Sequence, residues 1–243
     1  MIETLVPAAA ACAEMFSDAP ESTMHAVEAA AVEGAVAERR REFGTVRYCA
    51  RKALLQIGGL AVPLLPDADG APRWPAGVVG SMTHCAGYRA AVVARSRELR
   101  GVGVDAEPHA AAPDAILDLI LRDEERARLP ALADARPDLH WERILFCAKE
   151  AVYKAWFPLT RRWLDFEDVS VTAHLDGTFR ARMRVREPRV AGVDPGGFSG
   201  RWAVGRGLVV AAASVVRRPV DATGRGEPGD GRGAGIGVLE ELA

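Results

Sequence analysis

A short apolar run with two acidic residues occupies the middle of the chain: Gly101-Val102-Gly103-Val104-Asp105-Ala106-Glu107-Pro108. The run is typical of a strand, in which side chains two positions apart face the same way. Asp105 and Glu107 are therefore predicted to share one side, while Val104 enters the core. Two convergent carboxylates repel each other unless a cation lies between them, and hard oxygen ligands suit Mg²⁺. The alternative is a solvated strand end, and this pair of carboxylates taken alone favours that alternative.

A second pattern has helical spacing: Phe146-Cys147-Ala148-Lys149-Glu150-Ala151-Val152-Tyr153-Lys154. Phe146, Glu150 and Lys154 are four residues apart and share one face of the predicted helix. An ordinary glutamate–lysine pair is the alternative, and such a pair is worth only about 0.3–0.5 kcal/mol. However, a third carboxylate with two ammonium groups is unusual on an otherwise apolar helix. Lysine is also a compact charge that suits phosphate oxygens.

Around these two patterns, helices and strands alternate in two similar rounds. The predicted helices cover 26–57, 113–133 and 139–157, and residues 60–76 are predicted to form a loop. The predicted strands are Val78–Met82, Tyr88–Arg95, Val102–Glu107, 168–174, 178–186, 200–206 and 208–216. This order predicts an α+β pseudo-dimer of two similar halves, each with helices packed on an antiparallel sheet. The predicted halves are residues 1–103 and 104–220, followed by a flexible glycine-rich tail at 221–243.

Composition limits the classes of function. The chain has 243 residues, of which 49% are hydrophobic and 26% charged, with a net charge of −2. This balance gives no basic footprint for nucleic acid. The four cysteines have irregular spacing, so neither a zinc cluster nor a disulfide framework is expected. No stretch approaches the roughly 18 apolar residues of a membrane span. We therefore expect a soluble, cytoplasmic monomer that binds neither nucleic acid nor membrane.

Two further patterns could face a phosphate group. Ser81-Met82-Thr83-His84 ends a predicted strand, and a Ser–His nucleophilic pair is disfavoured there because no G-x-S-x-G elbow surrounds Ser81. For His84 taken alone, a structural role competes evenly with a ligand role. Arg47 and Arg51 lie one turn apart on the first helix, and arginine binds phosphate with two parallel hydrogen bonds. Residues 39–41 are interpreted as a solubilising basic face.

The motifs together resemble a known family. They are R-R-x-E-F followed by V-R-x-C-A-R at 39–51, G-x-P-x-W-P at 70–75, S-M-T-H-C at 81–85, G-V-D-A-E-P at 103–108 and F-C-A-K-E-A-x-Y-K at 146–154. In this order they resemble the Sfp-type phosphopantetheinyl transferases, in the branch that includes enterobactin synthetase component D. The resemblance covers residues 1 to about 216.

The resemblance implies a set of site residues. It implies Asp105, Glu107 and Glu150 as ligands of Mg²⁺, and Glu150, Lys154 and Asp105 as the catalytic residues. Thr83 precedes His84 directly, so the resemblance favours Thr83 over Ser81 beside the cofactor. The loop at Gly70 lacks the lysine of the family's G-K-P step, which leaves Arg73 as a substitute. The implied cofactor contacts are Arg47, Arg51, Arg73, Ser81, Thr83, His84, Lys149 and Lys154.

The implied reaction is the Mg²⁺-dependent transfer of 4′-phosphopantetheine from coenzyme A to a serine of an apo acyl or peptidyl carrier protein. Adenosine 3′,5′-bisphosphate is released. Such modification serves polyketide, nonribosomal peptide and siderophore biosynthesis, and Glu150 is the best candidate for the base. Two alternatives remain open: a Mg²⁺-dependent phosphohydrolase of a nucleotide cofactor, and a non-catalytic module that binds coenzyme A or a carrier protein.

Overall fold

Two antiparallel sheets form the framework of the computed structural model, which describes residues 1–185 and 197–216. The first sheet has the order β1-β3-β2 and the second the order β4-β8-β7-β6-β5. The strands are β1 (Ala10–Met15), β2 (Val78–Cys85), β3 (Tyr88–Arg95), β4 (Leu99–Pro108), β5 (Val169–Ala173), β6 (Thr178–Met183), β7 (Phe198–Gly205) and β8 (Leu208–Val216).

One long helix covers each sheet. The helices are α1 (Ala26–Ala30), α2 (Ala37–Gln56), α3 (Asp114–Ile120), α4 (Asp123–Arg126), α5 (Leu129–Ala135) and α6 (Trp141–Thr160). Helix α2 packs on β1 and β3, and α6 packs on β4 and β8. The predicted α+β architecture with two similar halves is therefore confirmed, although the second sheet has more strands than the first. None of the helices in the described part of the chain is long and apolar enough to cross a membrane.

Glycines on β4 allow α6 to lie directly against the strand. A Cβ atom at Gly103 would stand 1.9 Å from the carbonyl oxygen of Ala151, and one at Gly101 would stand 3.1 Å from that of Ala155. Because Cβ atoms essentially never approach backbone that closely, any other residue at Gly103 would push the helix away. The close approach places the polar residues of α6 beside Asp105, which lies two positions further along β4.

The two sheets meet where β2 runs beside β4. The backbone N–H of Val104 donates to Ser81 Oγ at 3.1 Å, and that of Ala106 donates to Thr83 Oγ1 at 3.1 Å. A hydrophobic cluster that draws on both sheets, including the fully buried Val92 of β3, backs this contact. Side-chain hydroxyls thus take the place of a backbone ladder across the seam between the halves.

Several predicted boundaries differ from the structure. The predicted division between 103 and 104 falls inside β4, which pairs with β8 from Leu99 onward, so the halves divide in the preceding turn. The predicted helix 26–57 is broken between α1 and α2. The predicted helix 113–133 is three short helices, because Leu121 is extended and Pro130 starts a new helix. Strand β1 was not predicted, and the predicted tail at 221–243 lies outside the described residues.

Candidate active site

Asp105 is the buried centre of the site. Its carboxylate is 4% exposed, and Oδ1 accepts hydrogen bonds from Lys154 Nζ at 2.6 Å and from Thr83 Oγ1 at 3.3 Å. The other oxygen, Oδ2, is buried and has no hydrogen-bond partner among the residues that the structure describes. A buried acceptor without a partner costs about 1–3 kcal/mol. Within the described residues, the fold therefore leaves one oxygen of this carboxylate unsatisfied.

Glu107 on β4 and Glu150 on α6 add two carboxylates to Asp105. We call these three residues the carboxylate cluster. Burial, followed by the charge of Asp105, raises the pKa of each glutamate to about 7. Arg143 opposes the shift at Glu107, to which its Nη1 donates at 3.4 Å. Like charges raise the pKa of an acid and a nearby cation lowers it, so a cation bound here would relieve the repulsion.

Lys154 lies one turn beyond Glu150 on the same face of α6 and is the ammonium group in contact with the cluster. Burial alone would lower its pKa, but the neighbouring charges of Asp105 and Glu150 outweigh burial and raise it. The lysine therefore stays charged at neutral pH. One ammonium beside three carboxylates leaves the cluster with an excess of negative charge whenever the glutamates ionise.

A second group of side chains, at the end of β2, is cationic. His84 Nε2 lies 2.6 Å from Arg39 Nη1, and His84 Nδ1 lies 3.6 Å from Glu42 Oε2. Arg89 reaches the same glutamate at 3.5 Å. Burial, followed by the charges of Arg39 and Lys154, lowers the pKa of His84 to about 4. The imidazole is thus neutral at pH 7 and accepts from Arg39.

Ser81 and Thr83 do not face the open part of the site. Their side chains are 4% and 3% exposed, and both hydroxyls accept hydrogen bonds from the backbone of β4. The cofactor contacts that the resemblance implied for these two residues stay a prediction. The two residues join the sheets, and Thr83 also contacts Asp105.

Arg47 and Arg51 are anchors inside the first half. Arg47 Nε donates to the carbonyl of Leu64 at 2.6 Å, and its guanidinium lies over the ring of Phe43. Arg51 forms a buried ion pair with Glu28 at 2.7 Å. Each arginine is 6% exposed. Their fork geometry is used to hold the loop before β2 and α1 against α2. The contacts of these arginines with a phosphate stay a prediction.

Lys149 points into the core on the other side of α6. Its ammonium is within 2.7 Å of Glu125 Oε2, and it donates to the carbonyls of Ile120 at 2.6 Å and Phe166 at 2.9 Å. The side chain is 1% exposed. Neighbouring positions on a helix point about 100° apart, so Lys149 faces the core while Glu150 faces Asp105. The implied cofactor contact of Lys149 stays a prediction.

Arg73 lies exposed on the loop that follows Gly70. Asp67 shapes this loop by accepting from the backbone N–H groups of Asp69 and Ala71, and the Asp67 carboxylate also binds Arg161 at the end of α6. The loop is thus tied to the helix that carries Glu150. The contact of Arg73 with a cofactor stays a prediction.

Comparison with known proteins decides the family. The family model of the 4′-phosphopantetheinyl transferase N-terminal domain matches residues 27–94, and that of the 4′-phosphopantetheinyl transferase superfamily matches 101–204. The 4′-phosphopantetheinyl transferase Svp of Streptomyces mobaraensis is 50% identical over 219 residues, 88% of this chain and 89% of Svp. The chain belongs to the 4′-phosphopantetheinyl transferases. The transferase PptT of Mycobacterium tuberculosis is also 50% identical, over 207 residues, 83% of this chain and 90% of PptT.

The resemblance to enterobactin synthase component D is confirmed at lower identity. The component D of Salmonella typhi is 37% identical over 123 residues, which is 49% of this transferase and 49% of component D. The two family models also separate between residues 94 and 101, at the turn between β3 and β4. That division agrees with the sheets and not with the predicted boundary at 103.

Two charged residues of this transferase were not predicted as part of the site. Arg39 was interpreted as a solubilising residue, but it contacts His84. Its side chain is 47% exposed, so burial gave no signal for this contact. Arg143 was not singled out, although its position seven residues before Glu150 places both on one face of α6.

Proposed function

We propose that this transferase moves the 4′-phosphopantetheine group of coenzyme A to a serine hydroxyl of an apo acyl or peptidyl carrier protein, with Mg²⁺ bound at the carboxylate cluster. Adenosine 3′,5′-bisphosphate is the second product. The observation that carries the proposal is the convergence of three carboxylates and one ammonium: Asp105 Oδ1 accepts from Lys154 Nζ at 2.6 Å, and the charge of Asp105 contributes to the raised pKa of both Glu107 and Glu150. The printed names of Svp and PptT support the identity of the transferred group.

The donor set fits Mg²⁺ chemically. Within residues 1–185 and 197–216, no three His, Cys, Asp or Glu side chains already converge as a metal site. Glu107 and Glu150 would therefore have to turn toward Asp105 Oδ2 to complete one. Mg²⁺ takes oxygen ligands, keeps several waters and commonly binds one or two carboxylates together with substrate phosphates. When bound, the ion supplies positive charge to the pyrophosphate oxygens.

The cationic groups around the cluster suit the phosphates of coenzyme A. Lys154 is the ammonium nearest to Asp105 and can turn from the carboxylate to the pyrophosphate. Arg39 and His84 lie together at the end of β2, where both can donate to a phosphate once the imidazole takes up a proton. Charged donors make shorter and stronger hydrogen bonds to phosphate than neutral donors do. We assign these two residues to the phosphate that is remote from the reaction.

Transfer forms one bond and breaks one. The serine oxygen bonds to the β-phosphorus of coenzyme A, and the bond from that phosphorus to the bridging oxygen breaks, so the electron pair leaves with adenosine 3′,5′-bisphosphate. The serine hydroxyl must also lose its proton. Glu150 is the proposed acceptor, because it is the carboxylate of α6 that interacts with Asp105, and a positioned carboxylate can take a proton as a general base.

The test is mass spectrometry of apo carrier proteins incubated with coenzyme A, Mg²⁺ and the transferase. We expect the carrier to gain the mass of one phosphopantetheine group. Glu150→Gln and Asp105→Ala should abolish the gain while circular dichroism shows an intact fold. Glu98→Gln, at an exposed ion pair with Arg97, is the matched control and should retain full transfer.

The same experiment separates the alternatives. No gain across fatty-acid, polyketide and peptide carriers would overturn the proposal. Release of adenosine 3′,5′-bisphosphate without any carrier would indicate a phosphohydrolase. Full transfer by either carboxylate variant, or transfer that persists in excess EDTA, would overturn the proposed metal site.

A further inference from the structure

Thr83 makes a contact that its structural counterpart Ser81 does not make. Both hydroxyls accept from the backbone N–H of the residue opposite on β4, each at 3.1 Å. Thr83 Oγ1 also lies 3.3 Å from Asp105 Oδ1. A hydroxyl has a single hydrogen to donate. Since the N–H of Ala106 occupies an acceptor position of Thr83, the hydroxyl hydrogen is directed to the carboxylate.

The contact between Thr83 and Asp105 restrains the rotation of the Asp105 carboxylate. Thr83 and Lys154 both bind Oδ1, whereas Oδ2 has no hydrogen-bond partner among the described residues. A lysine side chain is long and flexible, whereas the β-branched Thr83 has few side-chain conformations and is held by the β4 backbone. If Lys154 turns to the pyrophosphate, Thr83 is the contact that still fixes Oδ1.

We propose that Thr83 is the positioning residue of Asp105: its hydroxyl holds Oδ1 and so fixes the rotation of the carboxylate that would bind Mg²⁺. This inference rests on the proposed function. It is distinct from the cofactor contact that the resemblance implied: Thr83 is 3% exposed, and its hydroxyl is engaged both as acceptor and as donor. Partners of this kind around metal ligands typically contribute about 10–100-fold in metal affinity.

The experiment is a titration of the metal-free protein with Mg²⁺, without coenzyme A or carrier. Thr83→Val keeps the shape and removes both hydrogen bonds, Thr83→Ser keeps both, and Ser81→Ala removes only a seam bond. We expect Thr83→Val to weaken Mg²⁺ binding about tenfold or more, and Thr83→Ser to stay within about twofold of the wild type. Ser81→Ala should lower the melting temperature as Thr83→Val does, but keep the Mg²⁺ affinity.

The outcomes are distinguishable. Equal Mg²⁺ affinities of Thr83→Val and Ser81→Ala would overturn the inference, because both would then act only on the seam. An increased KM for coenzyme A with unchanged Mg²⁺ affinity would overturn it in favour of a cofactor contact. A wild type that transfers phosphopantetheine yet binds no Mg²⁺ would overturn the proposed metal site and this inference together. If Thr83→Val does not fold, Thr83→Ala, where a water can solvate Ala106 N–H, carries the same expectation.

Discussion

Lys149 and Lys154 lie on the same helix, α6, but differ in how completely the polar groups around them are hydrogen-bonded. Lys149 has an acceptor for each of its three N–H groups, and its partner Glu125 also accepts from the backbone N–H of Val171 at 2.6 Å. Lys154 meets Asp105, whose Oδ2 is left without a partner in the described part of the chain. Buried polar groups are normally satisfied, and each exception needs an explanation. The satisfied pair is structural, and the unsatisfied pair marks the site.

The two lysines also differ in how well their positive charge is balanced by the neighbouring carboxylates. Glu125 and Lys149 neutralise each other one to one, and the pair joins α4, α6 and β5. At the site, three carboxylates compete for Lys154, and the pKa of Glu150 is raised to about 7 through burial and the charge of Asp105. Charge that is not balanced within the fold is stabilised only when a ligand arrives. We therefore expect Lys149 to contribute mainly to stability and Lys154 mainly to activity.

Lys149→Met is expected to have the largest effect on stability. The substitution leaves Glu125 buried and without its cation, and breaking a buried ion pair in this way costs about 3–5 kcal/mol. Urea denaturation of the metal-free protein measures the loss, and Mg²⁺ should not restore it. The control is Lys52→Met, at an exposed position on α2. A loss at Lys149 no larger than at Lys52 would contradict a structural role.

Lys154→Met is expected to act mainly on transfer. Removing a charged group that stabilises the reacting phosphates typically lowers kcat by about 10²–10³-fold. The metal-free variant should also lose stability, because the carboxylates lose their cation. Here, unlike at Lys149, saturating Mg²⁺ should recover that stability, since a ligand that binds only the folded state stabilises it. Carrier-modification rates and melting temperatures with and without Mg²⁺ decide the matter; unchanged kcat would remove Lys154 from the site.

The sequence was sufficient to predict the halves and the carboxylate cluster, because both depend on local pattern. Alternation places Asp105 and Glu107 on one side of β4, and helical spacing places Glu150 and Lys154 on one side of α6. The residues on either side of Asp105, in the motif G-V-D-A-E-P, also indicated the family. These inferences required only the spacing at which side chains return to the same face of a strand or of a helix.

The partners of each polar group could not be predicted in the same way. Lys149 and Glu150 are neighbours in one motif, yet they point to different sides of α6, and only the packing of the helix decides which side is core. Gly103 permits that packing, but its role depends on a backbone oxygen 48 positions away, at Ala151. Arg39 reaches His84 across 45 positions in the same manner.

Glu150→Gln is expected to change stability less than Lys149→Met does, and in the opposite direction. It should stabilise the metal-free protein at high pH. The pKa of Glu150 is raised from 4.5 to about 7 in the folded state. Between these values the folded protein binds more protons than the unfolded chain, so stability falls as pH rises. The cost is complete above pH 7 and absent below pH 4.5. Removing the charge should therefore gain about 3 kcal/mol at pH 8 and less than about 1 kcal/mol at pH 5.

Thermal unfolding of the wild type and of Glu150→Gln in EDTA, at both pH values, measures this difference. Glu98→Gln is the control on an exposed carboxylate and should show no dependence on pH. Glu125→Gln should be destabilising at both pH values, since it breaks a satisfied pair. If Glu150→Gln and Glu125→Gln both destabilise the protein at pH 8, the two carboxylates are equally structural. A gain at Glu150 with a loss of transfer would instead show that the fold tolerates an unfavourable charge at this position for the sake of the ligand.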